Sequence, residues 1–219
     1  MDFKAAIFDL DGTLVDTLYD LADSTNYSLN KNGFKTKPRE NYGRYAGDGI
    51  YKMIERALEP EKVDTKTLKK LRDDFFEYYK DNCTINTYVY DGMQEVIGYL
   101  RANNIKVGCI TNKIDAIAKV IINHYFGELD IGCGQVDGVP TKPDPYLPNK
   151  AFEILSVNAE ECLFIGDSDV DMKTAKNSGM YGIGAAWGFR SKEELLINGA
   201  DFIADNPIDI LKVFKNGKL

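Results

Sequence analysis

The sequence predicts an α/β fold in which helices cover both faces of a parallel sheet and a helical domain is inserted after the first strand. Short, almost wholly apolar runs recur along the chain, and stretches with helical periodicity alternate with them. One interval of about 70 residues is helical in pattern almost throughout. Apolar runs without polar alternation are typical of strands buried on both faces, as in parallel sheets.

The predicted strands and helices follow one another in the order that such a sheet requires. Strands are expected at residues 5–8, 106–110, 162–165, 182–186 and 201–204, with helices at 92–102, 114–125, 148–155, 169–178 and 207–214. Further helical stretches at 17–31, 39–45, 50–58 and 65–82 form a block that is too long for a simple crossover connection. We therefore predict a core domain of residues 1–15 and 89–219 and a helical domain of residues 16–88. An insertion that leaves from a strand end would sit over the crevice where open parallel sheets bind ligands.

Composition and charge exclude several classes of function. The 219 residues carry a net charge of −7, which opposes non-specific binding to nucleic acid or to an anionic membrane. No apolar run approaches the ~18 residues of a membrane span, and the first residues lack signal-peptide character, so we expect a cytoplasmic protein. The four cysteines form no C-x-x-C pair and none has an arginine six positions later, which argues against a zinc ribbon, a redox dithiol and a thiol phosphatase.

The first predicted strand runs directly into an acidic turn. Asp9 and Asp11 fall on the same side of an extended chain because side chains alternate with period two. Two carboxylates beside a glycine, here Gly12, can hold a divalent cation and divide nucleophilic and proton-transfer roles. The same pattern is also common in turns that have no catalytic role.

A second acidic group follows the predicted strand at 162–165. This strand would deliver Asp167 to the sheet edge that holds Asp9, and Asp171 comes four residues later near a helix start. Asp169 is better explained as a helix cap or as a partner of the helix dipole. Because carboxylates that converge from two strands repel one another, we expect a bound Mg²⁺, which favours oxygen ligands.

Two polar segments follow other predicted elements. Thr111, Asn112 and Lys113 come directly after the strand at 106–110, and Lys142 lies in a proline-rich turn before a helix. Taken alone, each segment is typical of a turn or a helix cap. Together with the acidic groups they supply the cation, hydroxyl and amide donors that stabilise a transferring phosphoryl group.

These segments together resemble the four motifs of the haloacid dehalogenase-like (HAD) hydrolase superfamily. The ordered set is Asp9-x-Asp11-Gly12-Thr13, Thr111-Asn112, Lys142-Pro143 and Gly166-Asp167-x-x-x-Asp171, and it covers nearly the whole chain. Segments at 47–58, 179–180, 186–191 and 199–201 are similar to phosphoglycolate phosphatase-like members. The resemblance implies a Rossmann-like core with a helical cap of the C1 type.

The resemblance also implies a mechanism. Asp9 would attack phosphorus to form an aspartyl-phosphate, and Asp11 would protonate the leaving alcohol and later deprotonate water. The Asp9 carboxylate, the Asp11 backbone carbonyl and Asp167 would hold Mg²⁺, with Asp171 as a further ligand or as support. The remaining motif residues would bind the phosphoryl group: Thr111 and Asn112 through its oxygens, and Lys142 by neutralising charge and orienting Asp9.

Other functions remain possible at this point. Relatives that cleave haloalkanoates lack the second aspartate, so Asp11 favours an alkoxide leaving group, which needs a proton. A phosphomutase that resembles β-phosphoglucomutase shares the core residues and the cap type. A phospho-aspartate signalling domain is less favoured, because signalling receivers lack the helical insertion and place the modified aspartate after a middle strand. A binding protein is less favoured because the full set of charged groups would be costly to assemble without a ligand.

Substrate specificity is expected to come from the cap. The candidate residues are Arg44, Gly47, Asp48, Gly49, Lys52 and Arg56. The glycines could let backbone approach a small ligand, and the basic side chains could meet a substrate carboxylate. Alternatively, residues 47–49 only begin a helix and the basic residues form a solvated face. A small phosphorylated metabolite is the expected partner, while its identity and the oligomeric state stay open.

Overall fold

A computed structural model describes residues 3–216. In chain order, its strands are β1 (Ala5–Phe8), β2 (Val15–Asp16), β3 (Tyr88–Val89), β4 (Lys106–Ile114), β5 (Ile131–Gln135), β6 (Cys162–Gly166), β7 (Tyr181–Ala185) and β8 (Phe202–Ala204). Its α-helices are α1 (Leu18–Lys31), α2 (Tyr42–Tyr45), α3 (Ile50–Leu58), α4 (Thr65–Asn82), α5 (Met93–Ala102), α6 (Asp115–Phe126), α7 (Tyr146–Leu155), α8 (Asp169–Ser178), α9 (Lys192–Ile197) and α10 (Ile210–Asn216). The predicted α/β class is confirmed by these elements.

The described chain divides into two compact units. One contains the residues up to Val15 and from Val89 onward, and the other runs from Asp16 to Tyr88. Strands β2 and β3 pair with each other at the two points where the chain passes between the units. The second unit is therefore an insertion with closely spaced entry and exit strands.

The first unit is built on a six-stranded parallel sheet with the order β5-β4-β1-β6-β7-β8. The chain starts near the middle at β1, moves outward through β4 and β5, and then crosses to β6 on the other side of β1. Such a reversal of direction creates a crevice beyond the carboxyl ends of the central strands. This topology makes the ends of β1, β4 and β6 the expected place for a ligand.

Burial of β1 explains why its sequence shows no alternation of polar and apolar residues. All four residues of this strand are fully buried, and it pairs with β4 on one side and β6 on the other. Helices cover both faces, so each side chain meets apolar neighbours; Ile7, for example, packs in a cluster with Ile110 and Phe164. The polar groups that follow β1 are thereby held on a rigid support.

Strand β4 is longer than the sequence predicts. Its pairing with β5 shifts register between Ile110 and Ile114, where four steps along β4 correspond to two along β5. The extra residues form an irregularity of the bulge type, which bends a strand and redirects its side chains. Thr111, Asn112 and Lys113 therefore lie inside a strand, and the interpretation of this segment as a turn or helix cap is wrong.

Two elements of the first unit have no strong sequence signal. Strand β5 contains Gly132 and Gly134 and lies at the edge of the sheet, so it lacks the β-branched apolar run used to recognise strands. Helix α9 has only six residues, which is too short to show a clear helical period.

Among the described residues, no helix combines the length and apolar character that crossing a bilayer requires.

In the inserted unit, α1 packs against α4 through small polar side chains. Ser24, Thr25 and Ser28 of α1 are fully buried, and the Ser28 hydroxyl donates to the Leu71 carbonyl of α4 at 2.6 Å. The hydroxyls of Ser24 and Thr25 donate hydrogen bonds to backbone carbonyls one turn earlier in α1. These three buried hydroxyls are thus all hydrogen-bonded, which offsets the cost of removing them from water.

Asp20 ties the beginning of this unit to its end. The carboxylate is 2% exposed and accepts hydrogen bonds of 2.7–3.0 Å from the backbone and side-chain groups of Asn86 and Thr87. These two residues lie just before β3, whereas Asp20 lies in the first turn of α1. One side chain therefore holds together two segments that are 66 residues apart in sequence.

We expect Asp20→Ala to lower the free energy of unfolding by about 2–3 kcal/mol, because the buried donors of Thr87 lose their acceptor. Urea unfolding followed by circular dichroism measures this change. Asp23→Ala is the matched control, since Asp23 lies on the same helix but pairs with Arg39 at an exposed position. Equal losses in the two variants would contradict the central role of Asp20.

Candidate active site

The candidate site lies beyond the carboxyl ends of three neighbouring strands. Asp9 directly follows β1, Asp167 directly follows β6, and Thr111 and Asn112 lie in the distorted last part of β4. Lys142 reaches the same place from the segment before α7, and Asp171 from the first turn of α8. The sheet order therefore brings together residues that are more than 100 positions apart in sequence.

Three buried carboxylates form the centre of the site. One oxygen each from Asp9, Asp167 and Asp171 lies within 4.8 Å of the other two, and all three residues are buried. Burial raises the pKa of Asp9 to about 6 against the opposing attraction of Lys142, and nearby Asp171 and Asp11 add to the rise. Burial, together with the charges of Asp171 and Asp9, also raises the pKa of Asp167 well above its ordinary value.

Lys142 is the cation of this cluster. Its Nζ lies 2.8 Å from Asp9 Oδ1 and 2.7 Å from Asp171 Oδ1. Burial alone would lower the pKa of this ammonium, but the attraction of Asp171 and Asp9 is stronger and keeps the pKa above its ordinary value. When all three carboxylates are ionised, the single ammonium leaves two negative charges, and the raised pKa values of Asp9 and Asp167 reflect that repulsion. A divalent cation that prefers oxygen ligands, such as Mg²⁺, fits both this excess charge and the donor set.

Asp11 is paired with a second buried lysine. Lys113 Nζ lies 2.7 Å from Asp11 Oδ1, and the lysine side chain is only 5% exposed. In the sequence, Lys113 is recognisable only as part of a polar segment and has no predicted role of its own. Its position directly after Thr111 and Asn112 is the sequence signal for it, but the contact with Asp11 is seen only in the structure.

The predicted phosphate-binding residues lie next to Lys142 and Lys113. Asn112 Nδ2 donates to the Lys142 carbonyl at 3.1 Å, and the Thr111 hydroxyl accepts from the Lys113 backbone N–H at 3.2 Å. Thr111 and Asn112 are both buried. The contact between Asn112 and Lys142 links the last part of β4 to the lysine segment, so the two predicted motifs form one continuous surface of the site.

The loops around Asp167 hold both of its carboxylate oxygens. Oδ1 accepts from the Thr13 hydroxyl at 3.3 Å, and Oδ2 accepts from the Phe189 backbone N–H at 2.7 Å. Gly12 has φ +81° and lies against this carboxylate; a Cβ there would overlap it. The turn after β1 therefore needs glycine both for its backbone conformation and for its contact with Asp167.

Asp171 is held by the residue that caps its own helix. The Ser168 hydroxyl and backbone N–H donate to Asp171 Oδ2 at 2.6 and 3.0 Å, while the Asp171 N–H donates to the Ser168 hydroxyl at 3.3 Å. This reciprocal arrangement is a capping box. Asp169 lies in the same first turn and pairs with Lys173, so the cap itself is Ser168 and Asp169 is left as a partner of the helix dipole.

The candidate specificity residues lie within the inserted unit. Arg56 donates to the Tyr45 carbonyl at 2.9 Å and forms an ion pair with Asp48, and Lys52 pairs with Glu55 at 2.9 Å. Arg44 is exposed at the end of α2, and Gly47 and Gly49 lie just before α3. The pairings of Arg56 and Lys52 and the position of the glycines agree with the alternative of a helix start beside a solvated face.

Comparisons with known proteins agree with this geometry. The sequence pattern of the family described as haloacid dehalogenase-like hydrolase matches residues 6–185. The phosphoglycolate phosphatase of Photorhabdus laumondii is 31% identical over 95% of this chain and 91% of its own, and that of Aquifex aeolicus is 26% identical over 97% of each. A solved structure from Lactobacillus delbrueckii, provisionally assigned as a phosphoglycolate phosphatase, has a TM-score of 0.91 at 29% identity and covers 98% of this chain and 99% of its own.

These similarities extend over nearly the full length of the chain and include the segments that carry the buried carboxylates and Lys142. The fold, the cluster at the strand ends and the relatives all point to the same class of enzyme. The chain belongs to the haloacid dehalogenase-like hydrolase family, as an enzyme of the phosphatase type.

Proposed function

We propose that this enzyme hydrolyses small phosphate monoesters in two steps, through a phosphate ester of Asp9 and with Mg²⁺ as cofactor. The observation that carries the proposal is the buried cluster of Asp9, Asp167 and Asp171 around Lys142. A cluster with excess negative charge is costly without a cation, and a phosphoryl group adds further negative charge. The proposed cofactor offsets both.

The residues that would hold Mg²⁺ are the carboxylates of Asp9 and Asp167 and the backbone carbonyl of Asp11. Asp171 is proposed as a further ligand or as support for the others. When bound, Mg²⁺ would withdraw charge from the phosphoryl oxygens and offset the repulsion between phosphate and carboxylate. Lys142, at 2.8 Å from Asp9, contributes a second positive charge beside the nucleophile.

In the first step, the Asp9 carboxylate attacks phosphorus as the bond to the leaving oxygen breaks. Asp11 donates a proton to that oxygen, so an alcohol leaves instead of an alkoxide. Thr111 and Asn112 are proposed to bind the phosphoryl oxygens. Burial of Asp9 limits access of water to the nucleophile, and its ion pair with Lys142 fixes the orientation of the carboxylate.

In the second step, Asp11 is a carboxylate and takes a proton from an entering water. The water oxygen attacks phosphorus, the bond to Asp9 breaks, and inorganic phosphate and a free carboxylate are released. The contact between Asp11 and Lys113 at 2.7 Å supports the role of base in this step, because the ammonium orients Asp11 in its carboxylate form.

Phosphoglycolate is the first substrate to assay, because the relatives named above are phosphoglycolate phosphatases. We propose that the inserted unit acts as a C1-type cap that selects the substrate. Arg44 is the candidate for recognition of a substrate carboxylate, since Arg56 and Lys52 already have acidic partners within the unit. The cytoplasmic location stays a prediction.

We expect Asp9→Asn to lower the rate of phosphate release at least about 1,000-fold, because the amide replaces the proposed nucleophile. Colorimetric phosphate detection measures the rate, and circular dichroism establishes that the variant is folded. Asp169→Asn is the matched control, since this residue pairs with Lys173 outside the cluster. A folded Asp9→Asn enzyme with activity near that of the wild type would refute the proposed nucleophile.

We expect Asp11→Asn to separate the two steps. p-Nitrophenyl phosphate has a good leaving group and needs little help from an acid, so rapid mixing is expected to show a burst of one p-nitrophenolate per enzyme and then slow turnover. An alkyl phosphate is expected to show no burst and to lose about 10²–10⁴-fold in rate. An equal loss on both substrates, without a burst, would exclude Asp11 from proton transfer.

We expect chelation of divalent metal to abolish phosphate release from every substrate, and added Mg²⁺ to restore it. The assay is a panel of small phosphorylated metabolites that includes phosphoglycolate and sugar phosphates. Product analysis on the sugar phosphates distinguishes inorganic phosphate from an isomerised sugar phosphate, the product of a phosphomutase. Activity that survives complete chelation would exclude the metal-dependent scheme.

A further inference from the structure

The loop that follows β7 contacts two parts of the candidate metal site, although none of its side chains belongs to the carboxylate cluster. We infer that Trp187, Gly188 and Phe189, here named the Trp187 segment, position Asp167 and the turn after β1 for metal binding. This inference deepens the proposed function and rests on it. The segment is a positioning element, because it acts through Asp167 and the turn.

The first contact is with the proposed ligand itself. The Phe189 backbone N–H donates to Asp167 Oδ2 at 2.7 Å, while the other carboxylate oxygen accepts from Thr13. With one donor on each oxygen, the carboxylate plane is fixed, and so are the directions of the remaining lone pairs. Hydrogen bonds of this kind to metal-ligating carboxylates orient the ligand and affect metal affinity.

The second contact is with the turn that carries Asp11. The indole N–H of Trp187 donates to the Thr13 carbonyl at 3.0 Å. Thr13 in turn donates its hydroxyl to Asp167. Three hydrogen bonds therefore link Trp187, Thr13, Asp167 and Phe189, and the backbone of the segment closes the ring. Movement of the segment would disturb Asp167 and the turn after β1 at the same time.

Gly188 lies between the two donor residues, where the backbone of the Trp187 segment closely approaches Asp167 and Gly12. A Cβ at this position would overlap both the Asp167 side chain and the Gly12 carbonyl oxygen. The Gly188 N–H also donates to the Ala185 carbonyl at 3.2 Å, which anchors the segment to the end of β7. Gly188 does not have a positive φ, so a side chain is excluded here by contact alone.

Trp187 also provides a signal for the test, since it is the only tryptophan in the sequence. Its indole bonds to the turn and its neighbour Phe189 bonds to Asp167. We expect titration of the wild-type enzyme with Mg²⁺, without substrate, to produce a saturable change in tryptophan fluorescence. Asp167→Asn removes a proposed ligand and is expected to abolish this change.

The decisive experiment compares Gly188→Ala with Gly98→Ala by calorimetric titration with Mg²⁺ in the absence of substrate. Gly188→Ala is expected to weaken Mg²⁺ binding about 10–100-fold, because the methyl group displaces Asp167. Gly98 lies in α5, where an added Cβ meets nothing within 4 Å, and Gly98→Ala is expected to bind Mg²⁺ as the wild type does. In activity assays, the Mg²⁺ concentration for half-maximal rate is expected to rise more than the KM for the substrate.

A folded Gly188→Ala enzyme with wild-type affinity for Mg²⁺ would overturn the inference. If that variant does not fold, Trp187→Phe decides in the same way by calorimetry. It removes the indole donor to Thr13 but keeps an aromatic ring beside Tyr90, and it is expected to weaken Mg²⁺ binding several-fold. A wild-type enzyme that binds no Mg²⁺ would instead refute the proposed metal site, and with it the proposed function. The two failures are therefore distinguishable.

Discussion

Three buried carboxylates repel one another at the centre of this site, and the surrounding residues hold them together. Asp9, Asp167 and Asp171 could each be hydrated on a surface, but here they converge from two strand ends and a helix start. Lys142 offsets part of the repulsion, and hydrogen bonds from Ser168, Thr13 and the Phe189 backbone satisfy the outer oxygens. The capping residue Ser168 and the two glycines that lie against Asp167, Gly12 and Gly188, help to keep these like charges together.

Much of this site could be predicted from the sequence because parallel strands place their carboxyl ends at one edge. Once β1 and β6 are recognised from their apolar runs, the residues that follow them are expected at the same edge of the sheet. The structure adds that β1 and β6 pair directly, which brings Asp9 close to Asp167. The position of Asp171 follows from the helix start at Asp169. Short-range patterns were thus sufficient wherever a polar residue directly followed a regular element.

The sequence was less informative where geometry departs from the regular period. The register of β4 shifts between Ile110 and Ile114, and no residue type in that stretch predicts the shift. Lys113 lies within the shifted stretch, and its pairing with Asp11 joins positions 102 residues apart. Strand β5 was missed for a related reason, since its two glycines weaken the pattern although the edge position tolerates them. Contacts made by backbone groups, such as the Phe189 N–H on Asp167, leave no side-chain signature at all.

The Asp20 carboxylate makes the inserted helices a self-contained part of the chain. Because it joins the start of α1 to the segment before β3, the inserted helices form a closed loop whose two ends are tied within the loop itself. A closed loop of this kind can be lengthened or shortened in its middle without separating its two ends. Changes within the inserted helices therefore need not disturb the sheet, because the two ends of the insertion stay tied to each other through Asp20.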